Sequence, residues 1–157
     1  MRPLALVEFI QANGIDGIEY SGLDPSKRMV EESRRKHPQI TYSVVDVLDE
    51  PELVPEFDYV VMNGVFTIRP SQTYNQMLEY LNHVLRAAYP KARVGLAVNF
   101  MSKQVDWERE DLFHLPMDFL ASFLAHEISR HFVIRHDYGL YEYTAYVYRE
   151  PVVNSHA

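Results

Sequence analysis

The residues best placed to do chemistry stand at the ends of short strand-like segments. Asp24 closes residues 18–23, Asp46 closes residues 40–45, and Asn63-Gly64 follows Phe57–Met62. A carboxylate at a strand end accepts hydrogen bonds from hydroxyl or N–H donors. Asp24, just ahead of Pro25-Ser26, also reads as a helix N-cap. Asp46 reads equally as an Asx-type turn into Leu48-Asp49, and Asn63-Gly64 as a common turn pair. Asp106, Trp107, Glu108, Phe113 and His114 gather in an irregular segment, residues 101–115. His114 is a candidate base there, because an unperturbed imidazole titrates at about 6.5. A surface loop with an aromatic anchor accounts for the same residues and is the preferred reading. The chain has 7 histidines and no cysteine. His126-Glu127 lacks a second histidine four residues on, and His131 and His136 fall on opposite faces of a strand, so no metal site is expected.

These residues need a scaffold, and the hydrophobic periods supply one. Residues 3–13 read as a buried helix closed by Asn13-Gly14. Residues 18–23 read as a strand. A second helix opens at Pro25-Ser26 and runs to about Lys36, with Glu31 and Glu32 early and Arg34, Arg35 and Lys36 in its last turn, matching the helix dipole. Residues 40–45 form the next strand. Phe57-Asp58-Tyr59-Val60-Val61-Met62 is nearly continuous in apolar character, as in a strand buried on both faces. Ser71 is a fair N-cap for a long helix whose apolar positions, Tyr74 through Ala88, keep helical spacing. Tyr89-Pro90 ends it, and residues 93–100 form a strand. A helix over residues 116–129 precedes two strands, 131–136 and 143–149. Their short connection predicts an antiparallel hairpin, its aromatic-rich strands serving core and edge packing. The alternation of helices and strands predicts a largely parallel sheet with helices on its faces.

The order of parts, strand-Asp, helix, strand-Asp, strand-Asn-Gly, helix, strand, loop, helix and hairpin, resembles the class I S-adenosylmethionine-dependent methyltransferases. The segments that carry the resemblance are Tyr20-Ser21-Gly22-Leu23-Asp24-Pro25-Ser26, Val45-Asp46, Phe57 to Phe66, Val98-Asn99-Phe100-Met101-Ser102, and His136-Asp137-Tyr138 with Tyr141-Glu142. The likeness spans residues 4–149, and the ordered set is more specific than any one motif. It implies S-adenosylmethionine as cofactor. Asp24 would accept from the ribose hydroxyls, and Asp46 from the adenine amino group with the Val47 N–H on a ring nitrogen. Asn63 and Gly64 would lie beside the methionine end, with Asn63 the candidate catalytic residue. Methyl transfer is a displacement at carbon, so such an enzyme mainly aligns nucleophile and sulfonium. The implied fold is α/β: a Rossmann-like, open, mostly parallel sheet with an antiparallel C-terminal hairpin. The family opens with a strand and a G-x-G-x-G loop before the first helix. Here Met1-Arg2-Pro3 stands where that loop finishes. The expectation is a truncated chain with its first strand missing, one methyltransferase-like domain over residues 2–150 and a flexible tail over residues 151–157.

Bulk properties limit the partners. Of 157 residues, 47% are apolar, enough to build one core. A net charge of −7 argues against a general nucleic-acid binder. No apolar run approaches the ~20 residues of a membrane span, and no leader pattern precedes the first helix. A cytoplasmic protein with an unknown methyl acceptor is expected. A missing central strand would leave a sheet edge open, and an open edge is a pairing template. A homodimer through that edge is therefore expected. The competing reading is a non-catalytic remnant of the fold that acts by self-association.

Overall fold

A computed structural model describes residues 5–69 and 71–153. The expected helix start at Pro3 and the tail beyond residue 153 lie outside the described residues. The described chain divides into two compact units, one ending at Val54 and the other beginning at Pro55. Among the described residues, no helix is long and apolar enough to cross a membrane.

The first unit holds helix α1 (Ala5–Ala12), strand β1 (Ser21–Asp24), helix α2 (Lys27–Lys36) and strand β2 (Thr41–Val44). Ser26 is the N-cap of α2, its hydroxyl accepting from the Met29 N–H. The basic last turn places positive charge at the dipole's negative end. β1 and β2 pair in parallel, with Ser21 opposite Thr41 and Asp24 opposite Val44. Glycine is needed at position 22, because a Cβ there would overlap the Tyr42 ring. That ring and Val30 of α2 form a small buried core with Tyr20 and Ile40 against it. Arg34 reaches over from α2 and donates to the Tyr42 carbonyl at 2.6 Å.

The second unit holds β3 (Phe57–Met62), α3 (Tyr74–Ala88), β4 (Ala92–Ser102), β5 (His114–Leu115), α4 (Met117–Phe123), β6 (His131–Arg135) and β7 (Glu142–Tyr148). Strand order is β3-β4-β7-β6, with β5 alongside the end of β4. β3, β4 and β5 run parallel, and β6 and β7 form the antiparallel hairpin. The pleat sorts side chains by face. Leu96 lies opposite Val147, Val98 opposite Ala145 and Phe100 opposite Tyr143, and all six are buried. Phe66 stacks on Phe100 with ring centroids 5.3 Å apart, and Met77, Leu81 and Leu85 of α3 are buried as well.

Among the described residues β1 bonds to β2 and β3 to β4. Three expectations need correction. Helix α1 is not buried all round: Phe9 is 58% exposed. β3 is not buried on both faces: Tyr59 is 63% and Val61 52% exposed. The strand is an edge of its sheet, and its alternate side chains fall on the face away from Val98 and Phe100. The N-cap of α3 is Thr73, not Ser71. Thr73 accepts from the Gln76 N–H while the Gln76 side chain accepts from the Thr73 N–H, a complete capping box. The helix that follows β5 also ends differently from a plain α-helix. Its last residues, Leu124–Ile128, widen into a π turn.

Candidate functional site

Open parallel sheets present their ligand-binding groups beyond the carboxyl ends of the strands. In the first unit those ends carry Asp24 and Asp46. The two are close in the fold because β1 and β2 are neighbours in register, and the Val45 N–H donates to the Asp24 carbonyl at 3.3 Å. Each carboxylate is steadied by the backbone two residues on. Asp24 Oδ1 accepts from the Ser26 N–H at 2.7 Å, and Asp46 Oδ1 from the Leu48 N–H at 2.9 Å. The Asx turn expected at Asp46 is therefore present, whereas capping of α2 falls to Ser26 rather than Asp24. Both aspartates keep a second oxygen with no protein partner among the described residues, and both are only partly buried. The Val47 N–H is likewise unpartnered among the described residues. Two oriented acceptors and one donor thus stand together at one sheet end, a set that fits a ligand with vicinal hydroxyls and a flat hydrogen-bonding edge.

In the second unit, β3 ends at Met62 and the chain turns at Asn63-Gly64. Gly64 has a φ of 76°, a left-handed conformation that glycine takes without strain. Its N–H donates to Asn99 Oδ1 at 2.6 Å, and Asn99 Nδ2 donates to Glu142 Oε2 at 3.0 Å. The Asn63 side chain is exposed and makes no hydrogen bond among the described residues. In the sequence, Asn99 and Glu142 stand out only as points of resemblance. The available signal was a polar residue between Val98 and Phe100 in an otherwise apolar strand, since a buried amide needs partners.

Beyond this turn, residues 64–69 run beside residues 109–114. The Phe113 N–H donates to the Thr67 carbonyl at 2.9 Å and the Arg69 N–H to the Asp111 carbonyl at 2.8 Å. Ile68 and Leu112 form an antiparallel bridge between these bonds. A cleft of about 130 Å³ opens here, lined by Arg69, Tyr74, Glu108, Arg109, Leu112 and His114. Lys103 Nζ sits 5.7 Å from the Tyr74 ring centroid and pairs with Glu108 at 2.8 Å. Burial pushes the Tyr74 phenol up, with Lys103 nearby opposing that shift. Arg109 grips Asp111 through two hydrogen bonds, 2.9 and 2.5 Å, which hold the Asp111 carboxyl below its usual range.

His114 is not placed to act as a base. It is 4% exposed, and both ring nitrogens are taken: Nδ1 donates to the Ser102 carbonyl at 2.7 Å and Nε2 accepts from the Arg109 N–H at 3.3 Å. The imidazole ties the loop to β4. The aromatic anchor of the segment is Phe113, fully buried, whereas Trp107 is 72% exposed. Asp106 accepts from the Tyr141 hydroxyl at 3.0 Å. Among the described residues, no group of three or more His, Asp or Glu could hold a metal ion.

The chain is similar to known proteins along most of its length. A family model described as "Methyltransferase domain" matches residues 5–88. The Mycobacterium tuberculosis protein named "Putative methyltransferase Rv1506c" is 26% identical over 145 residues, covering 91% of this chain and 86% of that protein. The crystal structure of magnesium protoporphyrin IX methyltransferase from Synechocystis PCC 6803 with bound S-adenosylmethionine superposes with a TM-score of 0.60 at 14% identity, over 93% of this chain and 77% of that one. The PH0226 protein from Pyrococcus horikoshii OT3 gives a TM-score of 0.58 at 15% identity, over 94% of this chain and 78% of that one. At such low identity the two structural likenesses establish the fold alone, which is the Rossmann-like α/β architecture expected from the sequence.

Proposed function

The chain belongs to the methyltransferase-domain family, and from that premise we propose that it is an S-adenosylmethionine-dependent methyltransferase; in the first unit the groups proposed for the cofactor are Asp24, Asp46 and Val47, and in the second unit Asn63 and Gly64. The observation that carries this reading is the pair of turn-steadied carboxylates at adjoining strand ends, each with an oxygen left over. Asp24 would accept from both ribose hydroxyls. Asp46 would accept from the adenine amino group and the Val47 N–H would donate to a ring nitrogen. Asn63 and Gly64 would flank the methionine end. Bound S-adenosylmethionine supplies a methyl carbon activated by a sulfonium.

The protein's own task is then alignment. Asn63, exposed and unpartnered at the strand end, is free to orient a nucleophile by hydrogen bonding. The cleft beside Arg69 and Tyr74 supports an acceptor entering there. On that loop, Thr67 Oγ1 and Arg69 Nε are buried without a partner among the described residues, and orphaned polar groups of this kind are costly unless something else satisfies them.

The sequence contains no G-x-G-x-G stretch, so S-adenosylhomocysteine should bind this chain with a Kd weaker than about 1 µM, read by NMR shift titration. Sub-micromolar affinity would mean that other residues replace such a loop and that this account of the site is wrong. Asp24→Asn keeps Oδ1 for the Ser26 N–H but turns the spare oxygen into a donor. Its Kd should rise about tenfold to a hundredfold, since hydrogen bonds to a charged acceptor are worth roughly 1.5–3 kcal/mol. The melting temperature of the free protein should stay nearly unchanged. Equal affinity in wild type and variant would remove Asp24 from the site.

A second reading, self-association without catalysis, is favoured by the edge position of β3 and by its exposed Tyr59 and Val61.

A further inference from the structure

Asn99 is 5% exposed and sits in the middle of the strand order, between the Asn63-Gly64 turn and the start of β7. Its amide is oriented by its partners. A backbone N–H can only donate, so the group facing Gly64 must be Oδ1, which leaves Nδ2 to donate to Glu142 Oε2. Burying a primary amide in a strand flanked by Val98 and Phe100 is unfavourable unless its hydrogen bonds are made, and here both ends are used. The bonds span 35 and 43 residues of sequence, so they fasten three separate segments at the carboxyl end of β3 and β4. The turn's own bond, from the Thr67 N–H to the Gly64 carbonyl, is long at 3.5 Å. The tie to Asn99 is the short one.

We propose that Asn99 is a positioning residue for the cofactor site: it fixes the Gly64 peptide in the conformation that receives the cofactor, and Glu142 fixes Asn99. Because a trans peptide is planar and no cis bond occurs among the described residues, aiming the Gly64 N–H at Asn99 turns the Asn63 carbonyl the opposite way, as an acceptor. The same constraint decides where the free Asn63 side chain starts from. This inference rests on the reading of Asn63 and Gly64 given above.

Three variants and two measurements test it. Gly64 amide exchange reports the tie directly, and NMR shift titration with S-adenosylhomocysteine reports its consequence. In the wild-type chain the Gly64 amide should be protected from exchange. Asn99→Ala should remove that protection and raise the Kd about tenfold. Asn99→Asp keeps Oδ1 for Gly64 but sets a second carboxylate against Glu142, so affinity should fall again. Combining it with Glu142→Gln restores a donor between the two side chains. The double variant N99D/E142Q should return both readouts to within about threefold of wild type. If Asn99→Ala does not fold, the Asn99→Asp and double-variant pair carries the test alone. Variants that lose Gly64 protection yet bind S-adenosylhomocysteine as wild type does would overturn the proposal, as would a folded double variant that recovers neither readout. A wild-type chain that binds no S-adenosylhomocysteine at millimolar concentration would instead overturn the cofactor reading itself, and the proposal with it.

Discussion

Tyr143 is fully buried, and its hydroxyl donates to the Leu115 carbonyl at 3.0 Å. Burial pushes its phenol well above the usual range, with Tyr74 and Asp118 adding in the same direction. The folded-state value therefore exceeds the unfolded one, near about 10. The associated stability is fully present below that pH and is lost as pH rises toward the folded-state value, at up to roughly 1.4 kcal/mol per pH unit. Urea denaturation from pH 8 to 11 should give a falling stability. Tyr143→Phe should be less stable at pH 8, by roughly 1–3 kcal/mol for the orphaned carbonyl, but should lose less on going to pH 11. Equal slopes for the two proteins would show that Tyr143 is not the group responsible.

Residue identity also explains what the sequence could and could not reveal about the site. Asp24, Asp46 and Asn63-Gly64 were visible because strand ends are marked by turn residues, and each does close a strand or follow one closely. Which oxygen would be left over was not visible, since that depends on whether the next turn bends back to the carboxylate. His114 had the right chemistry for a base, and only the positions of Ser102 and Arg109 show that it has none to spare.

At the scale of elements, the limits of the helices and the hairpin were legible to within a few residues, but the burial expected of the first helix was not, since Phe9 is 58% exposed. Caps were less legible. Ser71 and Thr73 both have capping side chains, but only Thr73 has a glutamine three residues on that reaches back, Gln76 Oε1 lying 2.8 Å from its N–H. Thr73→Ala should cost about 1 kcal/mol in thermal or urea denaturation. Ser71→Ala should change stability by less than about 0.5 kcal/mol. A larger loss from the second than from the first would return the cap to Ser71. β3 is the element whose limits were right and whose surroundings were not. A run of apolar residues reads the same whether neighbours cover one face or two, and Tyr59 and Val61 lack cover.

For the whole molecule, that uncovered strand sets an expectation in solution. Val61 stands opposite Ala97, Ala97 opposite Tyr146, and Tyr146 opposite Val133. This row crosses the sheet face opposite the Val98 and Phe100 core, and Val61 and Val133 at its two ends are exposed. Exposed apolar surface on an edge strand favours pairing with a second copy. Sedimentation over micromolar concentrations should detect a dimer or larger species, and Val61→Lys should shift it toward monomer. A wild-type monomer throughout that range would end the self-association reading.

The short ladder joining residues 64–69 to residues 109–114 has a consequence for how such a protein changes over generations. Loops ordinarily absorb insertions singly. Here one added residue before Ile68 would move it out of register with Leu112 and reverse the faces of its neighbours. Divergence in what the cleft admits is thereby channelled into matched alterations of both segments, or into residues 103–108. There the contacts include the Lys103–Glu108 pair and the bond from the Tyr141 hydroxyl to Asp106, made by side chains that can be exchanged without disturbing a backbone ladder.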